Sequence, residues 1–406
     1  MIDRPLYTDR LKAWKDKQVI KAITGLRRCG KSSLLLVFRE YLLKKGISEN
    51  RIIHINFESL EYDGMDYKAL NDYVLSKVKE NGNRKTYIFL DEIQKIENWE
   101  KTVASLLLNK NLDLYITGSN AYMLSSDLAT FISGRYVEIK MLPLSFMEFL
   151  SFYDLGNITL DRKFHKYMEY GGMPSLKNCG FDKMQTQEML DGIYSTVLVR
   201  DILQRTNMRN SATVQKIITF MADNIASRTS INRITNALYS AKSITSKNNA
   251  EIEKIIGIFE KAFMFYKAER YDIKGKEILR SLEKYYIADT GLRNFILGRI
   301  SDTGRLIENI VYFELRRRFR MIYTGKTGEQ EIDFIAENGD GPEYYQVCES
   351  LSDEKTRQRE ISALLKIRDS FPKTILMLDN IPPHTTPEGI RIINLPEWLI
   401  KMSNYE

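Results

Sequence analysis

The first residues whose types and spacing could do chemistry lie early in the chain, in the segment GLRRCGKS. It matches the pattern GxxxxGK[ST], in which backbone N–H groups surround phosphate, a lysine contacts the β- and γ-phosphates and a hydroxyl ligates Mg²⁺. Lys31 is therefore the candidate phosphate ligand, and Ser32 is a candidate Mg²⁺ ligand. The candidate nucleotide contacts are Gly25, Leu26, Arg27, Arg28, Cys29, Gly30, Lys31, Ser32 and Ser33.

The elements on either side of this segment are the ones that nucleotide binding requires. The apolar stretch Val19–Thr24 predicts a buried strand, and an amphipathic helix is predicted from the motif to about Lys45. The helix N-terminus adds its dipole to the phosphate site. A chance match is the alternative, but the strand and the helix together favour a nucleotide site. We expect Lys31 to face solvent until phosphate binds, and alkylation of Cys29 to block nucleotide binding.

Two adjacent acidic residues could complete the chemistry. Asp91 and Glu92 follow the short apolar strand Tyr87–Leu90. Asp91 can hold the Mg²⁺ shell, and Glu92 can polarise the attacking water. A strand followed by these two residues is common by itself. Behind a complete phosphate loop it predicts a hydrolysis site, and Glu92 directly after Asp91 favours ATP hydrolysis over a GTPase switch.

Three further polar residues are weaker candidates. A third strand, Asp113–Thr117, ends in Gly118-Ser119-Asn120. In ATPases with an additional strand, this strand lies between the two phosphate-binding strands, so Ser119 or Asn120 could sense the γ-phosphate; a simple turn explains either residue equally well. Arg135 could neutralise transition-state charge, in cis or from a neighbouring subunit. A surface arginine at a turn is the alternative.

The order of these motifs resembles that of a prokaryotic family of AAA+-type ATPases. The segments that carry the resemblance are GLRRCGKS, FLDEIQ, ITGSN, SGR, LPLSFMEF, YGGMPS and LVRDIL, and together they extend over essentially the whole chain. The resemblance implies an α/β protein with a parallel ATPase sheet, a helical lid, a winged helix and a domain similar to restriction endonucleases. We expect the core at 1–149, the lid at 150–205, the winged helix at 206–275 and the terminal domain at 276–406.

The middle of the chain predicts helices to Ala226, over Ile231–Ala241 and over Lys247–Ala262, followed by a strand from Phe263. This is the order of a winged helix, whose third helix reads the major groove of DNA. The polar residues at or on that helix are Lys242, Lys247, Asn248, Asn249, Glu251, Glu253 and Lys254. DNA is one candidate partner, and a winged helix that contacts proteins or serves structure alone is the alternative.

The C-terminal part raises the question of a nuclease site. A helix carrying Glu308 precedes three strands, MIYTG, EIDFIA and YYQVCE, as in the restriction-endonuclease-like fold that the resemblance implies. Asp333 and Glu308 suit a Mg²⁺ site, but Gln346 and Cys348 stand where active relatives carry Glu and Lys. Gln346 has no charge and Cys348 cannot replace an ammonium group, so the metal loses a ligand and the water its positioning cation. We predict a disabled nuclease site, retained for binding or structure.

Composition narrows the function classes. The chain has 406 residues and a formal net charge of +7, which is compatible with nucleic acid without requiring it. Apolar runs are shorter than the roughly 18–20 residues of a membrane span, and no secretory signal is visible, so we expect a cytoplasmic protein. Three cysteines without a CxxC pair and three histidines argue against a disulfide framework or a zinc site.

The leading hypothesis is a Mg²⁺-dependent ATPase that changes conformation and acts on nucleic acid. The second is an ATP-driven switch for protein partners, and the third is an ATP-regulated nuclease. The oligomeric state is left open, and an oligomer is compatible with the trans role considered for Arg135.

Overall fold

The structure is a computed structural model that describes residues 3–124, 134–204 and 211–401. Its internal contacts divide the chain into two compact units. The N-terminal unit comprises Met1–Pro143 with Lys261–Phe263, and the C-terminal unit comprises Leu144–Glu260 with Met264–Glu406. Among the described residues, none of the helices is both long enough and apolar enough to cross a bilayer.

The N-terminal unit contains a five-stranded sheet in the order β2-β3-β4-β1-β5, in which every neighbouring pair is parallel. Its strands are β1 (Ile20–Thr24), β2 (Ile52–Asn56), β3 (Thr86–Asp91), β4 (Leu112–Gly118) and β5 (Tyr136–Lys140). Its helices are α1 (Pro5–Trp14), α2 (Lys31–Lys44), α3 (Tyr67–Lys79) and α4 (Trp99–Leu107). The parallel α/β core predicted from the sequence is confirmed, and β4 lies between β3 and β1 as expected.

The three central strands are apolar because both faces of the sheet are covered. Every residue of β1, β3 and β4 is buried, which is the pattern of a parallel sheet between helices. Two charged residues are buried in these strands as an ion pair, Lys21 of β1 and Asp113 of β4. Asp113 also accepts a hydrogen bond from the Tyr115 hydroxyl at 2.8 Å. Burial lowers the pKa of Lys21, and Asp113 opposes that shift.

The C-terminal unit has ten α-helices among its described residues and one eight-stranded sheet. The helices are α5 (Phe146–Phe152), α6 (Leu160–Tyr170), α7 (Lys183–Thr196), α8 (Ser211–Asp223), α9 (Ile231–Ser240), α10 (Asn249–Lys261, whose last residue is grouped with the other unit), α11 (Thr290–Leu297), α12 (Thr303–Arg318), α13 (Glu354–Leu365) and α14 (Leu395–Lys401); a π-helix, Val197–Leu203, follows α7. The strands are β6 (Phe265–Asp272), β7 (Glu277–Ile287), β8 (Met321–Thr327), β9 (Gln330–Glu337), β10 (Pro342–Cys348), β11 (Lys373–Met377), β12 (His384–Thr385) and β13 (Arg391–Asn394). Their order is β12-β13-β11-β10-β9-β8-β6-β7.

The first part of this sheet belongs to a segment of three helices and a hairpin. A single bridge, Thr229 to Glu283, joins the α8–α9 connection to β7, and β6 pairs with β7 in an antiparallel hairpin. The three predicted helices are present, with α8 ending at Asp223 rather than at Ala226. Ala226 has a φ of +58°, which a right-handed helix cannot contain.

The second part runs helix α12, antiparallel strands β8, β9 and β10, helix α13 and strand β11, which pairs in parallel with β10. This is the element order expected from the sequence. The hairpin β6–β7 continues into the same sheet because β6 pairs in parallel with β8. Two of the expected domain boundaries, 149/150 and 275/276, fall inside α5 and in the β6–β7 turn, and the four-part division stays a prediction.

Candidate functional site

The phosphate loop lies between β1 and α2, at the carboxyl edge of the parallel sheet. Gly25 has a φ of +149° and Gly30 a φ of +107°. A Cβ atom on Gly25 would lie 2.1 Å from the carbonyl oxygen of Met141, so a side chain cannot fit there. These two glycines allow the loop to turn sharply from the strand into the helix. Around it, Leu26 is buried, Arg27 lies 3.8 Å from Glu58, and Arg28 and Ser33 are exposed.

Lys31, the first residue of α2, turns back over this loop. Its Nζ donates to the carbonyl oxygens of Gly25 at 3.1 Å and Leu26 at 3.2 Å. The residue is only 4% exposed, so the expectation that it faces solvent is wrong. The loop carbonyls hold the ammonium group in place of water. Because they carry no full charge, the positive charge of Lys31 stays available to an anion.

Arg4 supports the loop from behind, and no motif in the sequence pointed to it. Its guanidinium donates to the carbonyl oxygens of Cys29 at 3.2 Å and Leu142 at 2.9 Å. Cys29 itself is fully buried, with Sγ 3.5 Å from the carbonyl oxygen of Met141. Burial raises the pKa of the Cys29 thiol. Because this thiol is enclosed, we expect its alkylation to be slow in the folded chain, and the predicted effect of alkylation on nucleotide binding stays a prediction.

Asp91 ends β3 and contacts two hydroxyl groups. Thr117 of the neighbouring strand β4 donates from Oγ1 to Asp91 Oδ1, and the Ser32 hydroxyl also forms a hydrogen bond with Asp91. Burial raises the pKa of Asp91, and both hydrogen bonds oppose this shift. The two predicted Mg²⁺ ligands, Ser32 and Asp91, are thus in contact. A hydroxyl and a carboxylate are hard oxygen ligands of the kind that Mg²⁺ prefers, so the residues fit this metal.

Glu92 has a left-handed backbone conformation, with a φ of +56°. Its carboxylate accepts hydrogen bonds from Gln94 Nε2 at 2.5 Å and from Ser119 Oγ at 3.3 Å, and it lies 3.9 Å from Lys31 Nζ. Its backbone N–H donates to Thr117 Oγ1 at 2.9 Å. A residue other than glycine held in this conformation by its neighbours is typical of functional sites.

Of the two candidates at the tip of β4, the structure brings Ser119 into contact with Glu92. Asn120 is buried beside it, with 2% of its surface exposed. Thr117 and Gln94 were missed by sequence reasoning. Thr117 had a signal: it is a hydroxyl residue near the carboxyl end of the strand that was expected to adjoin β3.

Arg135 is not brought to the phosphate loop of its own chain. It is exposed and directly precedes β5, and its carbonyl oxygen accepts from the Ile20 N–H at the beginning of β1. The loop follows the other end of β1, five residues later. At about 3.3 Å per residue, the two positions are separated by about 16 Å along the strand.

A second group of charged residues surrounds Lys284 of β7 in the C-terminal unit. Its Nζ lies 2.7 Å from Glu331 Oε1, 2.8 Å from Glu308 Oε1 and 3.4 Å from Asp333 Oδ1. We call these four residues the Lys284 cluster. Position 348 carries no cation, but Lys284 brings an ammonium group into this region from a different strand. The four charges together leave an excess of two negative charges if every carboxyl is ionised.

Gln346 joins this cluster through two hydrogen bonds. Its Oε1 accepts from the Asp333 N–H at 2.7 Å, and its Nε2 donates to Glu360 Oε2 at 2.6 Å. Burial and the Glu308 carboxylate raise the pKa of Asp333 to about 8. Burial also raises the pKa of the Cys348 thiol to about 12. Within the part of the chain that the structure describes, no group of three or more His, Cys, Asp or Glu residues is arranged to hold a metal ion.

Two family models match the chain, one over the phosphate loop and one over a segment that contains Lys284 but ends before Glu308. Residues 17–150 match the family described as an AAA domain. This matched segment includes the phosphate loop, Asp91, Glu92 and Ser119. Residues 161–303 match a domain of unknown function, DUF8612.

Two relatives match the chain over most of their length. An uncharacterized protein of Haemophilus influenzae is 38% identical over 99% of this chain and 99% of its own. An uncharacterized protein of Methanocaldococcus jannaschii is 30% identical over 89% of this chain and 80% of its own. Among solved structures, a Walker-type ATPase of Pyrococcus abyssi has a TM-score of 0.48 and 16% identity, over 73% of this chain and 96% of that one. The chain therefore belongs to one family with the two uncharacterized relatives, and its residues 17–150 form an AAA domain with a P-loop ATPase fold.

Proposed function

We propose that the protein binds ATP with Mg²⁺ on the loop of residues 25–33 and hydrolyses it with Glu92 as the general base. The observation that carries this proposal is the position of the Glu92 carboxylate, 3.9 Å from Lys31 Nζ and bonded to Ser119. A base beside the phosphate-binding lysine is where a water attacking the γ-phosphate has to be activated.

The residues of the chain divide the work of this reaction. Lys31 exchanges its two carbonyl partners for phosphate oxygens, and the α2 N-terminus adds its dipole. Ser32 and Asp91 would hold Mg²⁺, which neutralises charge on the phosphates. Thr117 fixes the positions of the Asp91 carboxylate and the Glu92 backbone through two hydrogen bonds. Glu92 accepts the proton of the attacking water when its carboxylate is released from Gln94.

The direct test is hydrolysis of ATP by the full chain with and without Mg²⁺. We expect phosphate release that stops when the metal is chelated and returns when Mg²⁺ is added in excess. Phosphate release that continues at the same rate under chelation would contradict the proposal. Asn120 is a further candidate sensor in the same site, and its exchange for alanine should slow release without abolishing nucleotide binding.

We further propose that Arg135 acts on nucleotide bound by a neighbouring subunit. Its position about one strand length from its own phosphate loop favours a role in trans over one in cis. Mixing chains that carry Arg135→Ala with chains that carry Lys31→Ala should then restore part of the activity, since some interfaces combine an intact arginine with an intact loop. Turnover that is independent of protein concentration, with no rescue on mixing, would contradict this role.

We propose nucleic acid as the partner on which the ATP-driven change acts, through a winged helix at α8–β7. In support, a helix, a strand bridge, two helices and a hairpin follow one another in the order of that fold, and Lys242, Lys247 and Lys254 are exposed. Phosphate contacts make affinity fall steeply as salt rises. Replacing the three lysines by glutamine should weaken duplex DNA binding and flatten its salt dependence.

A protein partner is the competing proposal, because Glu251 and Glu253 lie on the same helix and are exposed. If duplex DNA fails to bind at low salt, with or without ATP, the nucleic-acid role is wrong. Proteins recovered with an ATP-trapped Glu92→Gln chain would then identify the partner class.

For the Lys284 cluster we propose a structural role without nuclease activity. Gln346 already bonds two groups of the protein, and Lys284 lies among the carboxylates that a metal would need. We expect no cleavage of duplex, single-stranded or branched DNA in Mg²⁺ or Mn²⁺. Cleavage by the unmodified chain that disappears in Asp333→Ala would make it an ATP-regulated nuclease.

A further inference from the structure

A solvent-open cavity of about 350 Å³ lies in the C-terminal unit, between the α8–α9 connection and the sheet. Three arginines line it, Arg228, Arg233 and Arg305, together with Lys284 and Glu331. Arg228 and Arg233 are exposed and Arg305 is half-buried, whereas Lys284 is buried. The arginines therefore lie toward solvent, and Lys284 forms part of the inner wall.

The charges of this cavity are unevenly neutralised. Glu331 is the one carboxylate among the residues found to line it, and its two oxygens contact Arg228 at 2.9 Å and Lys284 at 2.7 Å. Behind the wall, Glu308 and Asp333 also contact Lys284. The charge of Lys284 is thus used within the protein, and Arg228 shares its charge with Glu331.

Arg233 and Arg305 are different, because their closest partners are backbone carbonyl oxygens. Arg233 Nη1 donates to the Arg228 carbonyl at 3.2 Å, and Arg305 Nη1 donates to the Asp223 carbonyl at 2.7 Å. Arg305 also lies 3.8 Å from Asp302. Within the described residues, no carboxylate lies within 4.0 Å of the Arg233 guanidinium. These carbonyls orient the guanidinium groups and leave most of their N–H donors for a ligand.

A phosphate group matches this arrangement in charge and geometry. The planar fork of an arginine fits two phosphate oxygens, and such charge-assisted hydrogen bonds are stronger than neutral ones. Neutral hydrogen-bonding groups complete the lining, from Asn224, Ser227 and Thr229. The volume lies at the lower end of the range for small-molecule sites, roughly 300–1,000 Å³, so it suits one phosphate ester rather than a large cofactor.

We propose that this cavity binds a phosphate-ester group, with Arg233 and Arg305 as its direct ligands and Arg228 joining them as it separates from Glu331. The phosphate belongs either to a nucleic-acid strand or to a free nucleotide. It is bound there and not cleaved. This site differs from both the ATP loop and the exposed lysines at and before α10, Lys242, Lys247 and Lys254, and it stands whether or not the proposed function is correct.

The test uses the full chain with Lys31→Ala, so that nucleotide binding at the phosphate loop does not contribute. Three probes are titrated at low salt: a 5′-phosphorylated ten-residue thymidine oligonucleotide, the same oligonucleotide with a 5′-hydroxyl, and thymidine 5′-monophosphate. Equal binding of the two oligonucleotides, with weak binding of the monophosphate, assigns the site to ordinary backbone phosphate. Preference for the 5′-phosphate assigns a strand end, and equally tight monophosphate binding assigns a free nucleotide.

The variants decide whether the cavity is responsible. Arg233→Gln with Arg305→Gln should weaken the tightest probe by roughly tenfold or more, since two charge-assisted hydrogen-bonding groups are lost. Arg299→Gln is the matched control, because this exposed arginine pairs with Asp223 nearby and does not line the cavity. Glu331→Gln should tighten binding by removing the competing carboxylate. Equal losses in the double variant and the control, no binding of any probe, or weaker binding in Glu331→Gln would overturn the proposal.

Discussion

Lys31 in the N-terminal unit and Lys284 in the C-terminal unit are both buried ammonium groups, each 4% exposed, with acidic side chains nearby. Lys31 donates to two loop carbonyls and has one carboxylate at 3.9 Å. Lys284 has three carboxylates between 2.7 and 3.4 Å. The same residue type is therefore held by neutral carbonyl groups in one region and by acidic side chains in the other.

This difference separates a lysine that can bind an anion directly from one whose charge is already used within the protein. An approaching triphosphate replaces the carbonyl partners of Lys31 without having to displace a charge. The same anion at Lys284 would meet three carboxylates first. Likewise a Mg²⁺ ion near Glu308 and Asp333 would have to displace the ammonium group. The number of carboxylates around each lysine thus decides between nucleotide chemistry and a structural ion cluster.

The largest expected effect comes from removing the charge of Lys284. Lys284→Met leaves the half-buried Glu308, Glu331 and Asp333 without their cation, and breaking a buried ion pair on one side costs about 3–5 kcal/mol. Chemical denaturation of the full chain measures this loss in the free energy of unfolding. Lys31→Met is the matched control and should lose much less, because its main partners are carbonyl oxygens. Equal losses in the two variants would remove the distinction between the two lysines.

Lys31→Ala should reduce ATP hydrolysis by about 10²–10³-fold and abolish tight ATP binding, since a positioned charge on the phosphates is lost. Isothermal titration and phosphate release measure the two effects. Lys44→Ala serves as the control, as an exposed lysine at the other end of the same helix. Because Lys31 is buried, a melting curve must show that the variant is folded. Wild-type nucleotide affinity in a folded Lys31→Ala chain would exclude the loop as the binding site.

Thr117→Val keeps the shape of the side chain and removes both of its hydrogen bonds. We expect hydrolysis to fall by about 10–100-fold, the usual effect of losing a residue that orients a metal ligand. ATP affinity should change less, because Lys31 and the loop are intact. Thr102→Val makes the same chemical change at a buried threonine bonded to the Tyr67 carbonyl, away from the site. A similar rate for both variants would mean that Thr117 does not position Asp91 and Glu92.

The smallest effect concerns pH. The folded pKa of Asp333 is raised to about 8, above its ordinary value of 3.8. The stability that follows from its protonated form is complete below pH 4 and is lost as pH rises through about 8. Asp333→Asn should therefore flatten the decline in melting temperature between pH 5 and 9. The change is modest because Glu308 and Glu331 interact with Asp333 and take up part of the same titration. A decline at least as steep in the variant would show that Asp333 is ionised throughout this range.

The nucleotide site could be predicted because its residues lie close together in sequence. Lys31 and Ser32 fall within one eight-residue motif, and Asp91 and Glu92 end a strand whose place in a parallel sheet is dictated by the loop. The role of Thr117 required the strand order, which sets which residues of β4 face the end of β3. Thr117 was missed because it lies inside an apolar strand, where most residues contribute only to packing.

The Lys284 cluster could not be predicted in this way. Lys284 lies 24 residues before Glu308 and 49 before Asp333, and it enters the site from β7, a strand that the sequence analysis did not predict. Arg4 is a similar case, 25 residues from the loop residue that it supports. Contacts of this kind depend on which strands pair in the folded sheet, so no short sequence motif predicts them.

The most direct test of the account is a single-turnover measurement with Glu92→Gln and wild-type chains preloaded with ATP and started with Mg²⁺. This variant keeps the size and the hydrogen-bonding capacity of the side chain while removing its basicity. The account predicts ATP affinity close to that of the wild type and hydrolysis slower by about a hundredfold or more, the contribution of a general base. Hydrolysis at the wild-type rate in a chain that binds ATP normally would show that another group activates the water, and would contradict the central role given to Glu92.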